Sequence, residues 1–327
     1  MKSVSTIQQY EQSGNYAAAL KIARNSNIKN ISQTKRLEKE LLTLGSLRLL
    51  FDENVQPRVN LIQLLELVGM EPLNKSENNI EQINNWAQKN LLRQGERWQH
   101  QTAKFEELKS KIQPLLSELG FIDALFPHFE KYQGVIVYGA LLPRARLRLY
   151  YLVEQWEKGV RFSQIYFLSG ERPLEIKQEN KDTFLDDSQS PLKIRKDWPV
   201  PSEFPKTERE MIQLIWEQSE IPDDMRKVEV YFTNAPMKED AKGERSIRPT
   251  TDDTIRAWLQ TAPPHGRYLA ITNAPYINRQ DVAMRAIAPC EYSFDTVGSA
   301  AGEREKMVII LDELARAIFQ IKQISEG

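Results

Sequence analysis

The residues best suited to chemistry in this chain stand where an apolar run turns abruptly polar, at Thr272 and Asn273, with Tyr276, Arg279 and Gln280 close behind. In an open parallel sheet, ligands sit beyond the carboxyl ends of the strands, and helix N-termini there favour anions. A guanidinium such as that of Arg279 can grip phosphate or carboxylate through two charged hydrogen bonds. The same logic singles out earlier points. The run GVIVYGA ends at Gly139 and is followed by Arg144, Arg146 and Arg148. At steps of two, these arginines cannot share one helix face, so they must divide between ligand, solvent and sheet. FSQIYFLSG ends in Ser169 and Gly170, with Glu171 and Arg172 next, and Glu208 follows Thr207, a plausible N-cap.

Arg248, Pro249, Thr250, Thr251, Asp252, Asp253 and Thr254 precede IRAWL. Capping explains Thr250, Thr251 and Asp252, whereas Arg248 beside a rigid proline adds a guanidinium to a helix N-terminus and suits an anion. Structural and binding readings weigh equally there. Glu208 and Asp253 are the candidate catalytic groups, as base or as ligand of a hard metal.

Other chemistries lose their support. No glycine-rich dinucleotide fingerprint follows the first apolar run, and no Walker lysine loop exists. Phe167 and Leu168 replace the first half of a nucleophile elbow at Ser169, so Ser169 and Gly170 read as a strand-end turn. His100, His128 and His265 read as surface or packing residues, and Cys290 as a buried, small apolar one. One cysteine and three histidines leave no zinc cluster, although magnesium needs only oxygen.

The elements that must position these groups fall into two parts. Two domains suit 327 residues. The expected division is a helical domain over 1–125 and an α/β domain over 130–327, with an insertion at 171–206 acting as a lid or arm. The N-terminal part shows amphipathic helical spacing over about 33–51, 57–69 and 77–118, the last with breaks expected near Gly95 and Pro114. Gly14, Tyr16, Ala19 and Leu20 have the spacing of one tetratricopeptide-type hairpin, without a second copy. From Gly134 onward, short apolar runs alternate with helices, the pattern of a mostly parallel, Rossmann-like sheet flanked by helices. Strands are expected at 135–138, 164–168, 228–232, 268–272 and 293–296, with 307–311 as a sixth candidate. Helices are expected at 146–158, 207–218, 250–260, 278–287 and 312–323.

With 44 basic and 45 acidic residues, the net charge is -1. No global field draws the chain to nucleic acid or an anionic membrane, so any anion site is local. No signal-peptide core or membrane-length apolar run is present, so the expectation is a cytoplasmic protein, with export lacking a cleavable signal left open.

In this order, the strand-end residues resemble the SanA/ElyC/YdcF-like superfamily of Rossmann-like domains over about residues 134–300. The matching parts are Gly139 with Arg144 or Arg148, Ser169 with Gly170, Glu208 leading to Met211, Thr251 to Thr254, and Thr272 with Tyr276 and Arg279. The family's histidine after the fourth strand is replaced here by Asn273 to Tyr276, and a long insertion separates Ser169 from Glu208. The resemblance implies a small, anionic, nucleotide-like ligand.

Three functions are compatible with these residues. The first is binding of a nucleotide, sugar-phosphate or similar anion, as a hydrolase or transferase. Its donors would be Arg144, Arg248, Arg279 and helix N-termini, with Asn273 and Tyr276 lining the site. The second is a non-catalytic interaction module whose residues 1–125 bind a protein partner. The third is methyl transfer from S-adenosylmethionine, by analogy alone. The cofactor is open between a divalent metal and S-adenosylmethionine.

Overall fold

The computed structural model describes residues 6–9, 11, 19, 22–24, 33–37, 40, 45–74, 78–93, 103–188 and 190–326. In chain order its elements begin with helices α1 (Leu47–Leu50), α2 (Val59–Leu67), α3 (Asn79–Asn90) and α4 (Lys109–Glu118). Next come β1 (Lys131–Tyr132), β2 (Gly134–Tyr138), α5 (Leu142–Glu157), β3 (Arg161–Phe162), β4 (Gln164–Leu168) and α6 (Lys181–Leu185). The remainder is α7 (Glu208–Gln218), α8 (Asp223–Arg226), β5 (Glu229–Phe232), α9 (Thr251–Leu259), β6 (Gly266–Asn273), α10 (Ile277–Ile287), β7 (Tyr292–Ser299) and α11 (Met307–Glu326).

Two compact units are formed, one from residues 1–125, 274–286 and 300–327, the other from 126–273 and 287–299. The division is therefore not linear: α11 and nearly all of α10, expected in the α/β domain, group with the N-terminal helices. Within that first unit, Ile83 and Ala87 of α3 share a core with Leu311, Leu314, Ala315 and Ile318 of α11, and Leu61 and Leu64 of α2 with Ile112 and Leu116 of α4. Residues 307–311, a candidate strand, open a 20-residue helix instead. Short apolar runs do not reveal their period, and this one is buried on every side because the helix lies in the core. Pro114 lies inside α4 without ending it. Gly95, the tetratricopeptide-like residues Gly14, Tyr16 and Leu20, and His100 lie outside the described residues.

The second unit is built on five parallel strands in the order β5-β4-β2-β6-β7, with β1 and β3 paired as a small parallel extension. It is thus a mixed α/β structure with parallel sheets flanked by helices. The expected five strands are present, each within a few residues of its predicted bounds. Every residue of β2 is buried, as befits a strand covered on both faces. Tyr166 and Phe167 are adjacent in β4 and point to opposite faces. Trp258 of α9 packs against Tyr166 and Tyr268, while Trp216 of α7 packs against Phe167, so these two helices cover opposite sides.

Gly298 shows how closely the strand ends approach. A Cβ there would stand 2.4 Å from the carbonyl oxygen of Thr272 and 2.9 Å from Cα of Asn273, all rigid backbone. Gly298→Ala should therefore lower the unfolding free energy by about 1–3 kcal/mol. Urea denaturation at neutral pH measures it, and an unchanged midpoint would contradict this packing.

No helix among the described residues is long and apolar enough to cross a membrane.

Candidate functional site

Strand order reverses between β2 and β6, and an open parallel sheet offers its ligand crevice at such a point. The residue that spans this reversal is Arg148. Its Nη1 donates to the carbonyl oxygens of Tyr138 (2.9 Å) and Gly139 (2.6 Å), and its Nε to Oδ1 of Asn273 (2.9 Å). It is 2 % exposed. Of the three alternating arginines, Arg146 instead donates to the carbonyls of Phe184 and Asp186, fastening the insertion, and Arg144 is half-buried. Burial holds the Arg146 guanidinium below its ordinary pKa.

Gly139 makes room for the second component. A Cβ on it would lie 2.5 Å from the carbonyl oxygen of Leu168 and 3.0 Å from Oε1 of Glu208. Glu208 thus reaches under the end of β2, where burial raises its pKa. The charges of Arg172 and Arg148 act downward on it and that of Glu179 upward, and desolvation wins.

Arg172 joins Glu208, at 3.6 Å, to Glu179. Its Nη1 lies 2.8 Å from Oε2 and its Nη2 3.0 Å from Oε1 of Glu179, a fork closed on a carboxylate. Burial opposes the Arg172 charge, yet the carboxylates outweigh it and raise its pKa. Arg148, Arg172, Glu179 and Glu208 therefore form a buried cluster of two cations and two acids at the carboxyl ends of β2 and β4. Glu179 was not singled out in the sequence, because it lies inside the polar insertion and nothing in its spacing marks it. Within the insertion, Asn180 and Thr183 form a capping box on α6, and Phe184 stacks on Phe204.

The other strand-end residues have structural partners. Ser169 donates through Oγ to the carbonyl of Thr233, and its own carbonyl accepts from Ala235 N. Gly170 lets Pro249 and the carbonyl of Ala235 approach, at 2.6 and 2.8 Å from where a Cβ would be. The first-turn N–H groups of α7 are taken: Glu208 N donates to Arg172 O, Arg209 N to Gly170 O and Glu210 N to Thr207 Oγ1. That helix N-terminus does not supply the anion donors expected of it. At α9, Thr250 and Asp253 form a capping box, and Lys238 Nζ lies 2.8 Å from Asp253 Oδ2. Burial acts upward on Asp253, but Lys238 and Thr250 hold it below the ordinary carboxylate value. This geometry gives Asp253 a capping role. Thr254 donates to the carbonyl of Thr251 within the helix, and Arg248 is half-buried.

Thr272 and Asn273 are buried at the end of β6. Tyr276 and Arg279 belong to the helical unit, where Tyr276 is fully buried and the Arg279 Nε donates to the buried Glu313. Cys290 is exposed, not buried as the sequence suggests, because it falls in the turn between α10 and β7. Among the described residues no group of three His, Cys, Asp or Glu side chains is gathered to hold a metal.

His128 has a structural partner as well. Its Nδ1 lies 2.8 Å from Oδ1 of the buried Asp295, whose Oδ2 accepts from His128 N and Tyr132 Oη. Asp295 pairs with Leu269 midway along β7, away from the carboxyl ends. Burial pushes its pKa up, but His128 and Tyr132 prevail and hold it below the ordinary value. A depressed folded-state pKa adds stability that is fully present above the unfolded value of about 3.9 and lost as pH falls through the lower folded one. Asp295→Asn should cost about 1–3 kcal/mol at pH 7. The gap to wild type should narrow below pH 4 in denaturant titrations, and a gap independent of pH would show that Asp295 is not ionised.

No protein-family model, curated protein or solved structure matches the chain.

Proposed function

We propose that the sheet-bearing unit binds a small anionic ligand at the carboxyl ends of β2, β4 and β6, with Glu208 as its acid-base group. The observation that carries this is the Arg148–Glu208 arrangement at the strand-order reversal, beside the Cβ-free wall of Gly139. A buried carboxyl whose pKa is raised is suited to proton transfer, and such perturbations cluster at functional sites. When Glu208 takes up a proton, the cluster changes from balanced charge to one net positive charge, the complement of a monoanion. Hydrolysis or group transfer on a small anionic substrate fits those groups.

The finer fold reading belongs to the same proposal. In order of appearance the five strands lie 3-2-1-4-5, the core of a doubly wound, Rossmann-like sheet. Residues 1–125 are read as all-helical, and the SanA/ElyC/YdcF-like likeness is carried by the strand-end residues alone.

A thermal-shift screen of nucleotides, sugar nucleotides, S-adenosylmethionine and divalent metals, on wild type and Glu208→Gln, tests the reading. A true ligand at a hundredfold excess over its Kd stabilises the wild type by about 2.7 kcal/mol. The variant should bind with altered pH dependence. A second reading, a non-catalytic interaction module, draws on the engagement of Arg146, Arg148 and Arg279 by the protein's own oxygens. A flat screen would favour it and direct attention to protein partners of residues 1–125.

A further inference from the structure

The carboxylate of Glu179 is held as a bound ligand would be. Oε1 accepts from Leu142 N (3.2 Å) and Arg172 Nη2 (3.0 Å), and Oε2 from Arg172 Nη1 (2.8 Å) and Glu175 N (2.7 Å). Four donors saturate both oxygens, and the residue is 2 % exposed. Leu142 opens α5, the helix that follows the first strand of the main sheet. In its first turn Pro143 has no N–H, and Arg144 and Ala145 donate back to Leu141 O, so Leu142 N is the donor turned toward an anion. A buried guanidinium fork and a strand-end helix N–H thus converge on one carboxylate, and that carboxylate comes from residues 171–206.

We propose that this cradle is a carboxylate-binding site that the insertion fills in cis, and that the ligand of the strand-end site is a carboxylic acid that enters as Glu179 withdraws. The inference deepens the anion-binding reading and rests on it. Charge supports a carboxylate over a phosphate dianion. Exchange of one carboxylate for another leaves the charge of the cluster as it is whether or not Glu208 holds a proton, whereas a dianion in place of Glu179 adds a further negative charge. The planar fork of Arg172 also matches a carboxylate at both nitrogens. Tethering gives Glu179 a high effective concentration, so the cradle stays filled until a ligand with further contacts competes.

The test is chemical rescue in the full chain. Glu179→Ala should unfold at lower temperature than wild type in chloride, and sodium acetate at constant ionic strength should restore part of the loss with a saturable, millimolar response. Wild type and Glu179→Gln, whose cradles remain filled by a side chain, should show no saturable response. Inorganic phosphate at pH 8 should match chloride. Where Glu179→Ala fails to fold in chloride, its refolding yield in acetate against chloride gives the same reading. Equal acetate responses in all three proteins, or none in Glu179→Ala, would overturn the proposal, and rescue by phosphate alone would overturn the carboxylate assignment. Rescue by acetate together with a wild-type screen that is flat for small carboxylic acids as well as for nucleotides would uphold the cradle while removing the acid-base reading of Glu208. A wild-type ligand without acetate rescue would do the reverse.

Discussion

Replacing Arg172 with methionine should lower the unfolding free energy by about 3–5 kcal/mol, the usual cost of stripping one partner from a buried ion pair. Methionine keeps most of the stem volume, so the loss isolates charge and hydrogen bonding. Arg172 is 8 % exposed and closes on Glu179 with both terminal nitrogens while facing Glu208 at 3.6 Å. Without it, two carboxylates share a buried space with Arg148 as the remaining cation. The folded state would then resist double ionisation, and the loss should grow as pH rises from 5 to 8. Equilibrium urea unfolding across that range measures it. A loss below 1 kcal/mol, unchanged with pH, would mean that the cluster is solvated and that the cradle carries little strain of charge.

The second large effect falls in the helical unit. Asp312 of α11 is fully buried, accepts from the backbone N–H of Arg93 (3.2 Å) and the Arg93 guanidinium (2.5 Å), and pairs with Arg316 Nε at 2.9 Å. Asp312→Ala leaves the Arg93 guanidinium buried without this counter-charge, with an expected cost of about 3–5 kcal/mol. Amide hydrogen exchange should show the loss of protection concentrated in α3 and α11, whose apolar faces share the core that this pair closes. Uniform loss across the β2–β6 strands as well would mean that the two units unfold as one.

The sheet was largely legible before the structure. The runs GVIVY, QIYFL and YLAIT are continuous apolar stretches bounded by glycine or polar turns, and a strand covered on both faces has few other ways to be written. The third and fifth strands were recognisable from the same alternation with helices. The run at 307–311 failed because five apolar residues fit a buried helix as well as a strand, and only the packing of Leu311 and Leu314 beside Ile83 resolves the choice. Grouping of α10 and α11 with the N-terminal helices was illegible for a related reason. Apolar faces record that a helix is buried, and not against which neighbour.

Among the candidate residues, local sequence alone established the capping groups Thr207 and Thr250, because a cap and its N–H partner lie within three residues, whereas Asp253, expected as a catalytic group, proved to complete the Thr250 capping box. Local sequence also marked Gly139, Arg148, Glu208 and Asn273 as strand-end residues. What it could not assign was their partners. Arg144, Arg146 and Arg148 are equivalent in spacing, yet one ties down the insertion and another bridges β2 to β6. The contribution of Glu179 was invisible, since 37 positions separate it from Leu142 and no periodicity links them. Sequence by itself determined the strands, the helices that follow them and the polar residues at their ends, because these depend on neighbours a few positions apart. Tertiary structure decided which charges meet, because burial without water forces each ionised group to find a partner wherever the fold brings one.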